Sequence, residues 1–451
     1  MRRGLNSRDR LATALGLTAA LGLAGCEAQR PVAPELDLGS LDMSACVVIG
    51  NSLSAGVVNG GLGGRTQQYS FPALIAAAAG VGAGFEQPTI TDPGIPAKRH
   101  LITTPLGPAI ITCSGTGTPI NMGLTRSYNN LAVPGATSID ILNDDGGASS
   151  ASPMAQLILW GLGTQRDQAI ALNPTLVFVW MGNNDVLGGA VAGRIIDFVT
   201  TISPTWTETQ IQGVMQGLAA ATSAYLVIAT IPDVTAIPYV TYLTRGRTSP
   251  LTDAGGVQIV FPVITTGLGA VRQATVDDFI LLPAAVTLAT DSTYGTPAHP
   301  LSDADVLDQE EVIELQTRIL FDNTVIQSWA EATGAAVVDV YTFFNELSAD
   351  PVMVVEGGID YGLDGLFVSD GGMAFSLDGV HPSTAGYVVL ANYFIDRLNQ
   401  EFDAAIPHVS FGRTLMPKVA RGAAKIPLDR MPDFRPVREQ LLQLFGIRPH
   451  D

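Results

Sequence analysis

Lysine is nearly missing from this 451-residue chain: Lys98, Lys418 and Lys425 stand beside 21 arginines. With so few lysines there is no G-x-x-x-x-G-K-[ST] loop, which excludes a P-loop nucleotide hydrolase. Basic side chains are outnumbered by acidic ones, 24 to 42, for a formal net charge of −18. A surface of that sign repels a phosphate backbone, so no nucleic-acid partner is expected. Cysteine is as scarce as lysine, with Cys26, Cys46 and Cys113 and no C-x-x-C. The histidines are His100, His299, His381, His408 and His450, and none sits in H-E-x-x-H. Neither pattern supports zinc, and no metal or cofactor is expected. The G-x-S-x-G elbow of α/β-hydrolases is absent, as are internal repeats and low-complexity blocks. Charged residues make up only 15% of the chain and hydrophobic ones 47%. That excludes disorder and is ample for a large core.

The N-terminus reads as an address. Arg2, Arg3, Arg8 and Arg10 precede an apolar run from Leu11 to Leu23, followed by Ala24-Gly25-Cys26. The run is too short for a membrane span, which needs about 20 residues, and no later stretch is long enough. Residues 1–25 are expected to be an export signal. The Leu23-Ala24-Gly25-Cys26 string resembles the lipobox of bacterial lipoproteins. That implies cleavage before Cys26, diacylation of its sulfur, and a lipid-anchored place in the bacterial cell envelope. The outer membrane, with the protein facing the periplasm or the surface, is the expected site. Residues 26–44 then form a Pro-bearing tether. Export permits a Cys46–Cys113 disulfide, though two buried thiols fit equally well. Residues 411–451 carry 8 basic and 4 acidic side chains, against 12 and 37 over 26–410. The span 406–451 therefore reads as a basic C-terminal extension, docked on the acidic body or on an anionic membrane.

Between these ends, apolar strands alternate with helices. Strands are expected at Cys46–Gly50, Leu176–Met181, Tyr225–Ile231 and Ala335–Val340. Helices are expected over 152–172, with Ser152 as N-cap, over 306–332, and finally over 384–402. Such alternation argues for a parallel sheet covered on both faces. Two segments rich in Gly, Pro and Thr, about 57–125 and 233–305, read as loop insertions. Within the first, Gly60-Gly61-Leu62-Gly63-Gly64 is expected to be flexible rather than a nucleotide loop. In the second, Ile237 to Val240, Val257 to Val263 and Phe279 to Leu282 fit either an acyl-binding wall or a small core of their own. Asp140, Asp144 and Asp145 read as polar turn residues in preference to calcium ligands.

Four short segments follow strands or precede helices: Gly50-Asn51-Ser52-Leu53-Ser54, Asn130 to Ser138, Gly182-Asn183-Asn184-Asp185, and Asp378-Gly379-Val380-His381-Pro382. Alone, each is a turn or a cap. In an open parallel sheet, loops at the strands' C-terminal ends converge on one crevice. A hydroxyl is a weak nucleophile until a base takes its proton, and His381 is the suitable base for Ser52. Asp378 is placed to fix the ring tautomer. The N–H groups of Ser52 and Gly135 and the Asn184 amide would hold an oxyanion.

Together these segments resemble blocks I, II, III and V of the SGNH (GDSL) hydrolase superfamily. The resemblance implies a triad of Ser52, His381 and Asp378 and an oxyanion hole of Ser52, Gly135 and Asn184. It also implies a three-layer α/β/α sandwich with a parallel sheet in flavodoxin-like order and large loop insertions. Asn51 stands where the family has Asp, which puts the local turn in question more than the chemistry. One site drawing on residues 50 to 382 makes residues 45–405 one large domain. The expected function is a lipid-anchored serine ester hydrolase, forming an acyl-enzyme from an acyl lipid or an acetylated glycan. The alternatives are a carbohydrate O-acetyl esterase and a non-catalytic surface binding lipoprotein.

Overall fold

A run of Cys-Val-Val-Ile with no polar alternation needs cover on both faces, and Cys46–Gly50 (β1) is buried throughout. The computed structural model describes residues 36–104, 107–243, 251–252, 258–259, 261–349, 353–356, 359–362, 374–410 and 431–448. The expected signal, Cys26, Lys418, Lys425 and His450 lie outside the described residues.

After β1 come helices Ser52–Ala55 (α1) and Phe71–Ala78 (α2), then Ser138–Asn143 (α3). The strand Leu176–Trp180 (β2) leads into helix Asn183–Ala192 (α4) and the longer Pro204–Ala221 (α5). Strand Tyr225–Ala229 (β3) and strand Ala336–Val338 (β4) bracket helix Gln309–Thr333 (α6). Helices Thr384–Phe402 (α7) and Arg435–Leu444 (α8) follow. The sheet runs β1-β2-β3-β4, all parallel. On the free edge of β1 the stretch after Asn129 adds a parallel bridge between Val48 and Asn130. The Val48 N–H donates to Asn129 O at 2.8 Å and the Leu131 N–H to Val48 O at 2.9 Å. Counted as a strand, this stretch completes the flavodoxin-like order expected from the sequence.

α2 and α7 cover one face of the sheet; α3, α5 and α6 line the other. Phe71, Phe178, Trp180 and Phe394 form an aromatic cluster under the first layer, with Phe71 and Phe394 stacked at 4.4 Å. Segment 57–125 is therefore not all insertion, because α2 is a framework helix. The Gly/Thr-rich sequence around it masked that role.

Local signals set several boundaries. Asp308 and Glu311 make a reciprocal capping box at the start of α6. Ser383 caps α7 by accepting from Gly386 N. The single helix expected over 152–172 is two, Pro153–Leu159 and Gln165–Ala171. Ser152 does cap the first, which ends at Trp160 in the left-handed region, φ +57°. The strand expected over 335–340 stops at Val338, and helix Val340–Ala349 follows.

Both ends of the domain extend further than expected. Leu41 and Met43 are buried, and Ser40 donates to Phe402 O, so the tether ends before residue 44. The C-terminal extension contains α8, whose Val437, Leu441 and Leu442 join the main core. Arg438 pairs with Asp305 of the acidic body. Cys46 and Cys113 are both free thiols, so the disulfide is not formed. Burial pushes the Cys46 thiol up to about 12. Ile237, Tyr239, Val240, Ile280, Leu281 and Leu282 are buried in the core, and the Leu282 N–H donates to Tyr239 O at 3.0 Å. Of the two readings, the packed core holds for Tyr239, Val240, Ile280, Leu281 and Leu282, whereas Ile237 also borders an apolar pocket with Leu53 and Pro382. Val257 lies outside the described residues.

Candidate active site

Ser52 is the first residue of α1, directly beyond the buried end of β1. As the opening residue its N–H has no partner within the helix, and such donors favour negative charge. Asn51 is the N-cap; its side chain accepts from Leu53 N at 3.2 Å. The residue that departs from the family's Asp therefore still caps the turn, although its Nδ2 is buried without a partner among the described residues. Gln165 Oε1 accepts from Gly50 N at 2.9 Å and pins the strand end.

The loop before α7 brings Asp378 and His381 to the same edge. Asp378 Oδ2 lies 2.8 Å from His381 Nδ1, and both side chains are buried. Asp378 Oδ1 accepts from the N–H groups of Val380 at 2.9 Å and His381 at 2.8 Å. Burial raises the Asp378 carboxyl, but the His381 ring and these donors outweigh it and hold the group below the ordinary carboxylate range. A carboxylate on Nδ1 leaves Nε2 to act as acceptor. Nε2 is buried without a partner among the described residues. The Ser52 Oγ to Nε2 hydrogen bond is thus not made here; in unliganded enzymes such bonds are often long and tighten with substrate.

Several contacts tie the serine turn to this loop. Asn59 N donates to Ser376 Oγ at 3.0 Å, and Leu377 N to Asn59 Oδ1 at 2.9 Å. The Tyr387 hydroxyl of α7 lies 3.0 Å from Val57 O and 3.5 Å from Ser52 O. Gly60 N donates to Asp378 Oδ2 at 2.8 Å. The glycine run containing Gly60 is therefore packed, not flexible: a β-carbon on Gly61 would stand 2.3 Å from Pro96 O. Composition hid this, because glycine serves close packing as readily as mobility.

Hydrogen bonds link the segments that carry the oxyanion candidates to the serine turn. Val133 N donates to Gly50 O at 3.1 Å, which joins the Gly135 loop to β1. Asn184 Nδ2 donates to Ala136 O at 2.8 Å, leaving its second amide proton available. Asp185 accepts from Ser138 N and Thr207 Oγ1, each at 2.8 Å, and so clamps α4, α3 and α5 together. Burial pushes the Asp185 carboxyl up to about 6. Sequence reading missed these roles of Gly60, Gln165 and Tyr387: the first lay in the glycine run read as flexible, the other two in expected helices with no part in the site.

Asp140 closes a capping box with Thr137, and Asp144 and Asp145 accept from Gly146 and Gly147 in a turn. Among the described residues no cluster of three or more His, Cys, Asp or Glu is placed to hold a metal ion. No described helix is long and apolar enough to cross a membrane. A cavity of about 650 Å³ opens beside Gly135, lined by Asp140, Asn143, Asp144, Ser150, Gln443 and Phe445 among others.

A hydroxyl on a strand-to-helix turn, a carboxylate-held imidazole and fixed amide donors, gathered at the carboxyl edge of a parallel sheet, are the parts of an acyl-transfer hydrolase. Residues 46–394 match the GDSL-like Lipase/Acylhydrolase family, and the chain belongs to that family. No curated protein matches the chain. Among solved structures it is similar to an alpha/beta hydrolase from the metagenome of Lake Arreo, with 14% identity over 79% of this chain and 98% of the other and a TM-score of 0.36. An acetylxylan esterase of Geobacillus stearothermophilus shows 14% identity over 78% and 93%, with a TM-score of 0.33. A lipase/acylhydrolase of Enterococcus faecalis shows 13% over 80% and 98%, with a TM-score of 0.31.

Proposed function

We propose that this protein is an exported, lipid-anchored serine ester hydrolase working through Ser52, His381 and Asp378. The buried 2.8 Å pairing of Asp378 with His381, tied to the Ser52 turn through Gly60 and Tyr387, carries the reading. His381 Nε2 takes the Ser52 proton as Oγ attacks the ester carbonyl, and the oxyanion is held by the Ser52 and Gly135 N–H groups and Asn184. The imidazolium returns its proton to the leaving alcohol, which departs to give the acyl-enzyme. Water, deprotonated by the same nitrogen, then releases the acid and regenerates Ser52.

The substrate is a carboxylic ester, from an acyl lipid or an acetylated glycan. The cavity beside Gly135 sets Asp140, Asn143, Ser150 and Gln443 among Pro134, Met154, Leu159 and Phe445, a mixed lining that suits either source. Cys26 supplies the anchor in this reading, at the cell envelope.

The test is labelling with a fluorophosphonate followed by a p-nitrophenyl ester panel. Ser52 should carry the label, and Ser52→Ala should lose both label and turnover. Labelling of Ser54, or full turnover in Ser52→Ala, refutes the assignment. An unlabelled, inactive but folded protein places the surface binding lipoprotein first.

A further inference from the structure

We propose that Gln440, on the C-terminal helix, is a positioning residue for the Asp378–His381 pair and acts through Gly60; this rests on the catalytic reading of that pair. Gly60 N donates to Asp378 Oδ2, the oxygen that also faces His381 Nδ1. The carbonyl of the same glycine accepts from Gln440 Nε2 at 2.6 Å. Gly60 has φ +74°, and a β-carbon on it would stand 2.9 Å from Gln440 Cδ, so the amide lies flat against its α-carbon. The other end of the amide is fixed as well, because Gln440 Oε1 accepts from Arg99 Nε. Arg99 in turn bonds Pro436 O on the turn preceding the amide and Thr112 Oγ1 on the antiparallel strand Gly107–Thr112 that pairs with Arg99–Thr104.

The helix itself has no packing need for an amide here. Val437 and Leu441 stand three residues before and one after Gln440, and both are buried with it in the core. An apolar residue would serve burial better, since a buried amide costs free energy unless both ends are bonded. Gln440 is buried and both ends are bonded, to Gly60 and to Arg99. The hydrogen bonds join a helix at the end of the chain to the loop that holds the triad acid. Phe434, Val437 and Leu441 anchor that helix in the core, which makes the clamp a constant part of the site.

Gln440→Met keeps the length and loses both bonds; Gln440→Glu keeps the Arg99 partner and loses the donor to Gly60 O. The full-length variants are compared with Leu441→Ala, which loses packing only. Two readouts are taken: the downfield proton resonance of His381 Nδ1, identified by its loss in His381→Ala, and kcat and KM on p-nitrophenyl acetate. In both Gln440 variants the resonance should shift or broaden, and kcat should fall about ten-fold with KM little changed, as when an orienting partner is lost. Leu441→Ala should lower the melting temperature and leave the resonance in place. An unmoved resonance in both folded Gln440 variants overturns the proposal. If the wild-type protein turns over no ester while the Gln440 variants still move the resonance, the esterase reading fails and the positioning role stands.

Discussion

The carbonyl oxygen of Leu444 rests against the α-carbon of Gly135, where a β-carbon would stand 1.9 Å from it. The C-terminal helix thus ends against the loop of Gly135, the candidate oxyanion donor. Gly135 also holds φ +84°, a conformation that side chains other than hydrogen rarely adopt. Gly135→Ala should therefore cost about 1–3 kcal/mol of stability in urea unfolding. As its N–H turns out of line, kcat should fall by about a hundred- to a thousand-fold. Wild-type turnover in that variant would remove Gly135 from the oxyanion hole.

Asp322 of α6 is buried near Asp185, and its Oδ1 has no partner among the described residues. Burial, joined by the charge of Asp185, pushes its carboxyl up to about 8. A carboxyl raised on folding stabilises the fold while it is protonated. That contribution is whole below the unfolded value of about 4 and drains as pH rises through the folded value. Asp322→Asn keeps the shape and removes the titration. Its stability relative to the parent should grow between about pH 5 and about pH 8.5 in urea melts. An equal difference at both pH values contradicts this account.

Ile280 is 1% exposed and sits in the main core. Ile280→Ala should lower stability by about 2–5 kcal/mol, the cost of a core truncation. The ranking of p-nitrophenyl esters by chain length should stay as in the parent. A selective loss of longer esters would restore the acyl wall that the sequence alone allowed.

Cys26 is the expected lipid site. Cys26→Ser should remove the diacylglycerol mass from the mature chain and release the protein into the soluble fraction, because two acyl chains make the stable anchor. Intact-mass measurement and membrane partition check this, and unchanged partition would refute it.

Much of this architecture is legible residue by residue. β1 and β2 are unbroken apolar runs because both sheet faces are covered, and that requirement writes itself into local sequence. The bounds of α7 follow from Ser383 as cap and an apolar stripe down one side, which are also local signals. Ser52, Gly135, Asn184, Asp378 and His381 stand out because each sits in a short string whose turn or helix start demands particular residue types.

Other features depend on who meets whom across hundreds of residues, and no local pattern encodes that. The glycine run at 60–64 reads as slack until Asp378, Pro96 and Gln440 are placed around it. The helix of residues 71–78 reads as part of an insertion until Phe71 stacks on Phe394. The tail reads as a basic extension docked on the acidic body or on a membrane, and only the buried Leu441 and the Arg438–Asp305 pair decide for the body. The chain's own order of residues determines the strands, the caps and the reactive side chains, because these are short-range matters of hydrogen bonding and periodicity. Only the tertiary structure decides which backbone groups hold Asp378 and which helix ends against Gly135. Burial and close packing are properties of the assembled neighbours, and here those neighbours lie as far apart in sequence as Gly60 and Gln440.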